Sequence, residues 1–490
     1  MSRYHCLIFN IGMTADHRGY GIYKIADHLR KNNWDSEVID FTVAWSLEEL
    51  KELSKSRITS NTKFIGFGHL FIHWTETLEL FCAWLKETYP HLKFIAGSQG
   101  FPTHDTECID YHILGNGEHA LIALLKYLFS NGVPVLTTKF PWSNRTLIIA
   151  NNVHSPYSAG YTTDLATRYE DRDFIEPTEW LTMEFSRGCK FACKFCDFPY
   201  LRAKGNYLVD QENFLTQMND NYERFGVKNY ITADSTFNDT SDKIRMYADA
   251  VETLNFVPFF IGFIRCDLLI SRPQDKEELL RMNYLGHSYG IETLNHAAGK
   301  SIAKGMHPDK VKDGIYDIHK YFTTHGRNLY SATLTLIAGL PHETKESITS
   351  TIDWVNNLPP EITGFFTPLM ISRQNYGIAS DIEKNWKSYG YKEFVSLDNI
   401  ESDLDSSRDL ICWENEHMNY LEAREYARLA NRSKKGYIDS WTIPSLLLHG
   451  KEVEERLKYD FNYVNTEEAI TIADDFVKRY IRKKLNWRPK

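Results

Sequence analysis

The strongest constraint on the fold is an alternation of strand and helix patterns, which occurs in two separate series along the chain. Strands that alternate with helices build parallel sheets whose two faces the helices cover. The first series occupies residues 1–130 and predicts five strands: Tyr4–Asn10, Ser36–Phe41, Lys63–Gly68, Leu92–Ala96 and Tyr111–Leu114. We therefore predict an α/β chain that opens with a doubly wound parallel sheet of the Rossmann or flavodoxin type.

The second series begins near Trp180 and predicts six strands: Trp180–Ser186, Asn229–Ala233, Pro258–Ile264, His287–Glu292, Ala332–Ala338 and Gly364–Leu369. Six such units in residues 179–371 make a partial (β/α)6 barrel, an open relative of the eightfold barrel. Residues 131–178, which are rich in Pro, Asn, Ser and Thr, are interpreted as a connector. The alternation fails beyond residue 371. Residues 372–490 are therefore predicted to be a mostly helical C-terminal segment that caps the barrel or faces its substrate.

Three cysteines, Cys189, Cys193 and Cys196, follow the first strand of the second series with the spacing C-x3-C-x2-C. Barrel active sites lie at the carboxyl ends of strands, which is where these thiols fall. Three soft sulfur ligands can bind three irons of a [4Fe–4S] cluster and leave the fourth iron open to a ligand that reacts. A structural zinc site would bring two Cys pairs, or a Cys pair with a His pair, and the sequence has no second Cys pair. The pattern therefore predicts a cluster on these three cysteines.

Charge and apolar patterning exclude several classes of protein. With 56 basic and 65 acidic residues the net charge is −9, which gives no overall basic field for nucleic acid. No apolar stretch is long enough to span a bilayer, and the N-terminal residues do not form a secretory signal pattern. The other cysteines are isolated in the sequence: Cys6, Cys82, Cys108, Cys266 and Cys412. Sparse, unpaired cysteines are typical of the reducing cytoplasm, where we expect this chain to act.

Four later segments, each at a predicted strand end, complete a resemblance to the radical S-adenosylmethionine (SAM) enzymes over about residues 180–370. These segments are Ile231–Asn238, Ile264–Leu268, Gly290–Thr293 and Leu336–Thr344. In that family the open iron chelates SAM, and electron transfer cleaves SAM to a 5′-deoxyadenosyl radical. The resemblance implies a [4Fe–4S] cluster on the three cysteines, SAM as a second cofactor, and an electron donor such as flavodoxin or ferredoxin.

The same resemblance implies which residues contact SAM: Asp234, Ser235, Arg265, Glu292 and Gly339. The sequence Ala-Asp-Ser at 233–235 stands where many members have Gly-Gly-Glu, so the donor set differs here. Each position also has a structural interpretation. Asp234 could cap a helix, and the segment at Gly339 could be a turn with no contact to SAM. Arg265 could form a local ion pair with Asp267.

The first series resembles the cobalamin-binding domain that is joined to some radical SAM barrels. The resemblance rests on two turns after predicted strands, Gly97-Ser98-Gln99-Gly100 and Gly115-Asn116-Gly117-Glu118. It implies that these residues contact cobalamin: His69, Gly97, Ser98, Gln99, Gly100, Gly117 and Glu118. The Asp-x-His-x-x-Gly motif that supplies a cobalt ligand elsewhere is absent, which the radical SAM group tolerates. The alternative for residues 1–130 is a domain that keeps the fold and binds nothing.

Together the resemblances imply an enzyme that uses the cluster and SAM for cobalamin-dependent methylation of an unreactive carbon. Two other functions remain open: a radical SAM rearrangement, cyclisation or oxidation with a non-binding N-terminal domain, and a sensor or scaffold that binds both cofactors without turnover. Methylthio transfer is disfavoured, because residues 1–130 have no second three-cysteine site. No residue is singled out as catalytic, and the substrate could be a small molecule or a peptide.

Overall fold

The computed structural model contains two parallel sheets, one from each predicted series. It describes residues 6–11, 18–68, 75–98, 108–139, 146–150, 166–196, 207–326, 330–372, 379–395, 410–433 and 466–488. The predicted α/β class, the N-terminal parallel sheet, the second parallel sheet and the C-terminal helices are all confirmed.

The first sheet has seven strands among the described residues. They are β1 (Cys6–Asn10), β2 (Ser36–Ile39), β3 (Phe64–Gly68), β4 (Lys93–Ser98), β5 (Tyr111–Leu114), β6 (Thr138–Lys139) and β7 (Thr146–Ile149). Their order is β2-β1-β3-β4-β5-β7-β6, and only the β6–β7 pair is antiparallel. The strand order reverses between β1 and β3, which makes this edge of the sheet a topological switch point.

The strands β6 and β7 lie within the segment that the sequence analysis interpreted as a connector. β7 pairs in parallel with β5, from Tyr111 opposite Thr146 to Leu114 opposite Ile149. Its central residues Leu147 and Ile148 are fully buried. The strand is short and lies among loop-forming residues, so its local pattern did not reveal it. β7 takes its position in the sheet by pairing with the edge of β5 that β4 leaves open.

The second sheet has six parallel strands among the described residues. They are β8 (Trp180–Met183), β11 (Asn229–Thr232), β12 (Phe259–Ile264), β13 (Tyr284–Glu292), β14 (Ser331–Ala338) and β15 (Ile362–Pro368). A short antiparallel pair, β9 (Ser186–Arg187) and β10 (Tyr207–Leu208), follows β8. The order β15-β14-β13-β12-β11-β8 is sequential, as a partial barrel requires.

Helices connect the strands and cover both sheets. Beside the first sheet lie α1 (Tyr20–Lys31), α2 (Leu47–Arg57), α3 (Glu76–Thr88) and α4 (Glu118–Phe129). Beside the second lie α5 (Gln211–Phe225), α6 (Ser241–Val251), α7 (Cys266–Ser271), α8 (Asp275–Arg281), α9 (His296–Ser301), α10 (Pro308–His325) and α11 (Lys345–Asn356). One apolar core runs from the first sheet into the second. Across the part of the chain that the structure describes, no helix has the length and apolar character needed to cross a membrane.

The C-terminal segment divides into two parts. The elements α12 (Asp381–Asn385), β16 (Lys392–Val395), β17 (Cys412–Glu414) and α13 (Tyr420–Ser433) pack at the ends of β14 and β15 around the buried Trp413. The last helix, α14 (Thr466–Asn486), packs instead on the first sheet and contributes four side chains to its core: Phe476, Val477, Tyr480 and Ile481. The sequence analysis placed the whole segment at the barrel, whereas residues 466–488 stabilise the N-terminal domain.

Buried polar contacts fix α14 to the first sheet. Lys484 Nζ lies 3.1 Å from the Glu37 carboxylate, and Arg57 Nε lies 3.2 Å from the same group, with all three side chains fully buried. The Tyr480 hydroxyl accepts the Asp40 amide at 2.9 Å. Lys484 and Glu37 are 447 residues apart, so no local sequence pattern could have indicated this contact.

Arg18 joins the first sheet to the barrel. Its guanidinium lies 2.5 Å from Glu179, which directly precedes β8, and 3.0 Å from Asp40. It also donates to the carbonyls of Asp173 and Phe174. Because removing one partner of a buried ion pair leaves an uncompensated charge, this network resists separation of the two domains.

Candidate active site

The three predicted cluster ligands lie on one loop that follows β8 and β9. Gly188 has a φ of 111°, which favours glycine, and turns the chain into Cys189. Two other segments hold the loop: the Lys194 amide donates to the Ile302 carbonyl at 3.1 Å, and the Ile382 amide donates to the Lys194 carbonyl at 2.9 Å. All three cysteines are outside disulfides and partly exposed. The loop is thus ordered by its neighbours while its thiols stay accessible.

The arrangement of these thiols fits a cluster better than a single ion. Among the described residues, no three or more His, Cys, Asp or Glu side chains converge closely enough to hold one metal ion. A cubane cluster needs no such convergence, because each sulfur binds a different iron. Polar groups also lie beside the sulfurs: Arg265 Nη1 donates to Cys193 Sγ at 3.7 Å, and Thr236 Oγ1 is 4.0 Å from Cys189 Sγ. A donor such as Arg265 suits a bound cluster, since hydrogen bonds to sulfur tune its potential.

Arg265, predicted to contact SAM, also organises the cysteine loop. Its guanidinium forms a bidentate ion pair with Asp267, with N–O distances of 3.0 and 2.6 Å. Its Cζ lies 3.9 Å from the centre of the Phe191 ring, which belongs to the loop. The local ion pair is therefore present together with loop contacts, and contact with SAM stays a prediction.

Asp234 lies in a closed network. Its carboxylate accepts the amides of Phe185 and Ser186 at 2.8 and 3.0 Å, and the Ser186 hydroxyl at 2.5 Å. Lys243 of α6 forms an ion pair with it at 2.7 Å, and neither side chain is exposed. Both carboxylate oxygens are therefore occupied. These are the contacts of a residue that positions the chain ahead of the cysteine loop, and direct contact with SAM stays a prediction for Asp234.

Ser235, the next residue, has a hydroxyl that nothing in the described structure satisfies. Its Oγ is buried and has no hydrogen-bond partner. Such a group is costly unless a ligand or water completes the site. The adjacent Thr236 contacts the sulfur of Cys189, so Ser235 belongs to a segment that borders the cysteine loop. This orphaned group is the feature of the described site that best fits a bound SAM.

Glu292 ends β13 at an irregularity in the pairing with β14 and has a φ of 67°. Strained backbone of this kind clusters at functional sites. Lys304 Nζ lies 3.3 Å from the Glu292 carboxylate and also donates to the Gly290 carbonyl. Burial raises the pKa of the Glu292 carboxyl, and the charges of Lys304 and Arg265 oppose that shift. Glu292 therefore lies at the predicted strand end with a cation beside it.

A buried carboxyl, that of Glu343, holds the turn after β14. It accepts the Thr293 hydroxyl at 2.8 Å and the amides of Gly339 and Leu340 at 2.9 and 3.4 Å. Burial raises the pKa of Glu343 to about 7, although these hydrogen bonds act in the opposite direction. Gly339 has a φ of 91°, and a Cβ on it would lie 2.2 Å from the Trp413 ring. That side of Gly339 faces the C-terminal core, and approach of adenine to its backbone stays a prediction.

A cavity of about 400 Å³ lies between the first sheet and the barrel. Its walls on one side come from β1, β3 and β4 at the switch point, from the start of α1 and from the turn before α4. On the other side they come from Thr182, Ile231, Ala233 and Phe263 of the barrel. Three of the residues predicted to contact cobalamin line it: Gly97, Gly117 and Glu118. Ligands of open α/β sheets bind at such a switch point.

Glycine keeps part of this cavity open. A Cβ on Gly97 would meet nothing nearer than the Ile113 carbonyl oxygen at 3.7 Å, so a larger side chain there would project into free space. A Cβ on Gly117 would lie 3.2 Å from the Ile113 side chain, a tighter fit. The other groups predicted to contact cobalamin lie outside the described residues and stay predictions: His69, Gln99, Gly100 and the side chain of Ser98.

Glu118 is paired across the boundary between the two domains. Arg187 Nη2 lies 2.9 Å from Glu118, and Arg187 Nε lies 2.6 Å from Glu184. Tyr20 donates to Glu184 at 3.3 Å. Burial raises the pKa of the Glu118 carboxyl, but Arg187 and neighbouring donors outweigh it and lower the pKa to about 2. Arg187 was not predicted from the sequence, although the place of Arg187 two residues before Cys189 was an available signal.

Comparison with known proteins identifies the second sheet. Residues 183–355 match the family model described as the Radical SAM superfamily. Residues 183–355 are a radical SAM domain. The radical SAM fold implies a [4Fe–4S] cluster and SAM, and the residues described above fit both.

A curated relative matches part of the chain. The ribosomal protein uS12 methylthiotransferase RimO of Dictyoglomus thermophilum is 23% identical over 235 residues, or 45% of this chain and 50% of the relative. The chain therefore spans about half the length of that relative. At this identity the match leaves the activity of the chain open.

Solved structures share the arrangement of a parallel sheet followed by a radical SAM domain. The radical SAM methyltransferase TsrM from Kitasatospora setae, with cobalamin and a [4Fe–4S] cluster bound, superposes with a TM-score of 0.64 and 12% identity, covering 98% of this chain and 100% of TsrM. The cobalamin-dependent SAM radical enzyme OxsB, with aqua-cobalamin bound, superposes with a TM-score of 0.55 and 14% identity, covering 89% of this chain and 63% of OxsB. At these identities the likeness shows the fold.

Proposed function

We propose that this radical SAM enzyme methylates an unreactive carbon and uses cobalamin as the methyl carrier. The observation that carries the proposal is the cavity at the switch point of the first sheet, whose opposite wall belongs to the radical SAM domain. The shared fold with TsrM and OxsB, both solved with cobalamin, supports it. When bound, the cluster and SAM supply a carbon-centred radical and cobalamin supplies the methyl group.

On the barrel side, the chain would hold its cofactors through two kinds of residue. Cys189, Cys193 and Cys196 would be the cluster ligands. The orphaned Ser235 hydroxyl would hydrogen-bond to SAM, and the Glu292 carboxylate would accept from hydroxyl or ammonium donors. Three further residues would act indirectly, by fixing the backbone that carries these groups: Asp234, Arg265 and Glu343.

On the N-terminal side, the cavity wall is apolar within the domain and charged towards the barrel. Its apolar part includes Ile8, Ile22, Phe64, Ile95, Ile113 and Leu121. Its charged part is Lys24 together with the group formed by Glu118, Arg187 and Glu184. A mostly apolar site with a few convergent polar groups suits a large cofactor that carries both apolar and polar parts.

The experiment is corrinoid retention by the reconstituted protein. Iron, sulfide and hydroxocobalamin are added without oxygen, and the corrin absorption band is measured after gel filtration. Wild type should retain an equimolar corrinoid, whereas Gly97→Phe should lose most of it, because the ring would fill the cavity. Leu80→Phe, on the exposed face of α3, is the matched control and should retain it.

A wild-type protein without corrinoid, but with an intact cluster and SAM cleavage, would contradict the methylation proposal. The function would then be a radical SAM rearrangement, cyclisation or oxidation with a non-binding N-terminal domain. Loss of corrinoid in both variants would show that retention follows general stability rather than the cavity.

A further inference from the structure

We propose that the inner face of the radical SAM barrel selects an uncharged, flat substrate group of about the size of one or two fused rings. The proposal rests on the proposed function in one respect, that this group would carry the carbon that is methylated. Its test needs no bound corrinoid, so the two proposals can fail separately. Six residues form the relevant face, which we call the inner wall: Phe263, Ser288, Thr333, Thr335, Thr363 and Phe365.

Strand register places the first row of the inner wall on one face of the sheet. Phe263 of β12 pairs with Ser288 of β13, and Ser288 pairs with Thr333 of β14. Thr333 pairs in turn with Thr363 of β15. Residues that pair across neighbouring parallel strands point to the same face. Because Phe263 lines the cavity between the two domains, this face is the one that looks into the barrel.

A second row lies two residues further along the strands, on the same face. Gly290, Thr335 and Phe365 pair with one another across β13, β14 and β15. Glu292 follows Gly290 on this face, since a Cβ on Gly290 would lie 2.6 Å from the Glu292 carboxylate. The inner wall therefore lies between the cavity, which reaches the first row, and the strand end where Glu292 is predicted to contact SAM.

The inner wall has an open part above a buried floor. Phe263 is 45% exposed, although β12 has a strand on either side. Thr335 and Phe365 are half-buried, whereas Ser288 and Thr333 are buried and form the floor. Neighbouring strands lie about 4.8 Å apart, so β12 to β15 span about 14 Å. An exposed aromatic ring on a face of this width suits a flat group that stacks on the ring.

The polar groups of the inner wall are hydroxyls. Thr363 Oγ1 is buried and has no hydrogen-bond partner in the part of the chain that the structure describes. Thr335 Oγ1 donates to the Tyr289 carbonyl at 3.3 Å, and a hydroxyl that donates can still accept. A buried hydroxyl without a partner is costly unless a ligand or water completes it. The wall therefore suits a group with neutral donors and acceptors.

No residue of the inner wall is ionisable, and the charged residues that border it are paired within the protein. These ion pairs are Glu184 with Arg187, Arg265 with Asp267, and Glu292 with Lys304. An ionised substrate group would find its counter-charge already engaged by another residue. Because a charge is costly to remove from water without a partner, the wall selects against carboxylate, phosphate and ammonium groups.

The test measures the binding of three probes that differ in the charge of one group: 2-naphthamide, 2-naphthoate and 2-naphthamidine. Dissociation constants are measured by ligand-detected NMR without oxygen or reductant, on protein that carries the cluster and SAM. The variants are Phe263→Ala, Thr335→Val and Thr335→Ser, the last of which keeps the hydroxyl. Phe394→Ala, which removes an exposed ring on β16, is the matched control.

Wild type should bind naphthamide about 10-fold more tightly than either charged probe, or tighter still. Phe263→Ala should weaken naphthamide binding about 10-fold, and Thr335→Val about fivefold. Thr335→Ser and Phe394→Ala should bind naphthamide as wild type does. Gly97→Phe should do the same, because its ring would fill the cavity and leave the inner wall open.

Equal affinities for the three probes would overturn the selection for an uncharged group. Unchanged naphthamide binding in Phe263→Ala, or its loss in Gly97→Phe, would overturn the assignment to the inner wall. Iron and sulfide content is measured in every variant beforehand, and the two Thr335 variants compare a hydroxyl with a methyl group at one position. A wild type that binds naphthamide but retains no corrinoid would contradict the methylation proposal and support the inner wall.

Discussion

At the scale of single residues, the candidate site contains two kinds of polar group. Saturated groups form their hydrogen bonds within the protein, and available groups are open to contact with a cofactor. The carboxylates of Asp234 and Glu343 are enclosed by donors of the protein itself. The hydroxyl of Ser235 has no hydrogen-bond partner in the described structure, and the thiols of the cysteine loop are partly exposed. Saturated groups position the backbone, and available groups can contact a cofactor, so substitutions of the two kinds should have opposite signatures.

Asp234→Asn and Ser235→Ala separate these two roles. Asp234→Asn leaves the buried Lys243 with a neutral amide and one other carboxylate, that of Asp239 at 3.5 Å, and should lower the free energy of unfolding by about 1–3 kcal/mol. Ser235→Ala removes an unpaired hydroxyl and should leave stability nearly unchanged, while SAM binding weakens by about 1 kcal/mol, or roughly fivefold. Denaturant unfolding and equilibrium SAM binding measure the two effects. If Asp234→Asn weakens SAM binding at unchanged stability, the direct contact that the resemblance implies is correct.

Glu343 should make stability depend on pH. Its pKa is about 7 in the folded state against 4.5 for an unperturbed carboxyl, so the folded protein binds the proton more tightly. Stability therefore falls as pH rises between about 4.5 and 7, by on the order of 3 kcal/mol, and is constant above that range. Glu343→Gln keeps an acceptor for the two amides and a partner for Thr293 but cannot ionise. Unfolding curves at pH 5 and pH 8 should show a smaller pH effect in the variant, and parallel behaviour would contradict the assignment.

At the scale of elements, the strands of both sheets were predictable wherever an apolar run is bounded by turns. All six barrel strands and the first five strands of the N-terminal sheet follow this rule. β7 did not, because Thr146–Ile149 is four residues long and lies in a loop-rich segment. α14 was predicted as a helix, but its position on the first sheet depends on partners such as Glu37, 447 residues away. Periodicity indicates an element and its buried face but not the surface that covers that face.

The candidate site, like the fold, was predictable from sequence only where its signal is local. The cysteine loop could be found because its spacing is local, and the strand-end residues because parallel strands end at one edge. The pairing of Asp234 with Lys243 and of Glu118 with Arg187 could not be found, since each depends on how separate elements meet. These pairings add a positioning contact to Asp234, whose contact with SAM stays a prediction, and place an ion pair on Glu118.

The cysteine loop should act as one ligand-bearing element. Cys193→Ala should abolish both the broad brown absorption of the cluster and SAM cleavage, because three thiols are needed for three irons. Cys412→Ala is the control, since Cys412 is fully buried in the C-terminal core beside Trp413 and should leave both properties intact. A full iron and sulfide content in Cys193→Ala would contradict the assignment of the cluster ligands to this loop.

At the scale of the whole molecule, two buried ion pairs join the N-terminal domain to the radical SAM side. One is Arg18 with Glu179, and the other is Glu118 with Arg187. Only the second borders the cavity and lies two residues from a predicted cluster ligand. The first should hold the domains together, and the second should also set how the cavity faces the cysteine loop.

Glu118→Gln and Glu179→Gln test this difference. Each leaves its arginine with one other carboxylate, Glu184 or Asp40, so each should lower the free energy of unfolding by about 1–3 kcal/mol. Corrinoid retention and the electron paramagnetic resonance spectrum of the reduced cluster should change only in Glu118→Gln. Equal spectra and equal corrinoid retention in the two variants would mean that both ion pairs only stabilise the fold.

In the proposed function, one chain brings a SAM site and a corrinoid together across the cavity. The most direct test is to incubate the reconstituted, reduced protein with SAM labelled in its methyl group and to measure label that elutes with the protein-bound corrinoid. We predict label on the corrinoid together with 5′-deoxyadenosine release in wild type, and no corrinoid label in Gly97→Phe. A protein that retains corrinoid and releases 5′-deoxyadenosine, but never transfers label to the corrinoid, would contradict the claim.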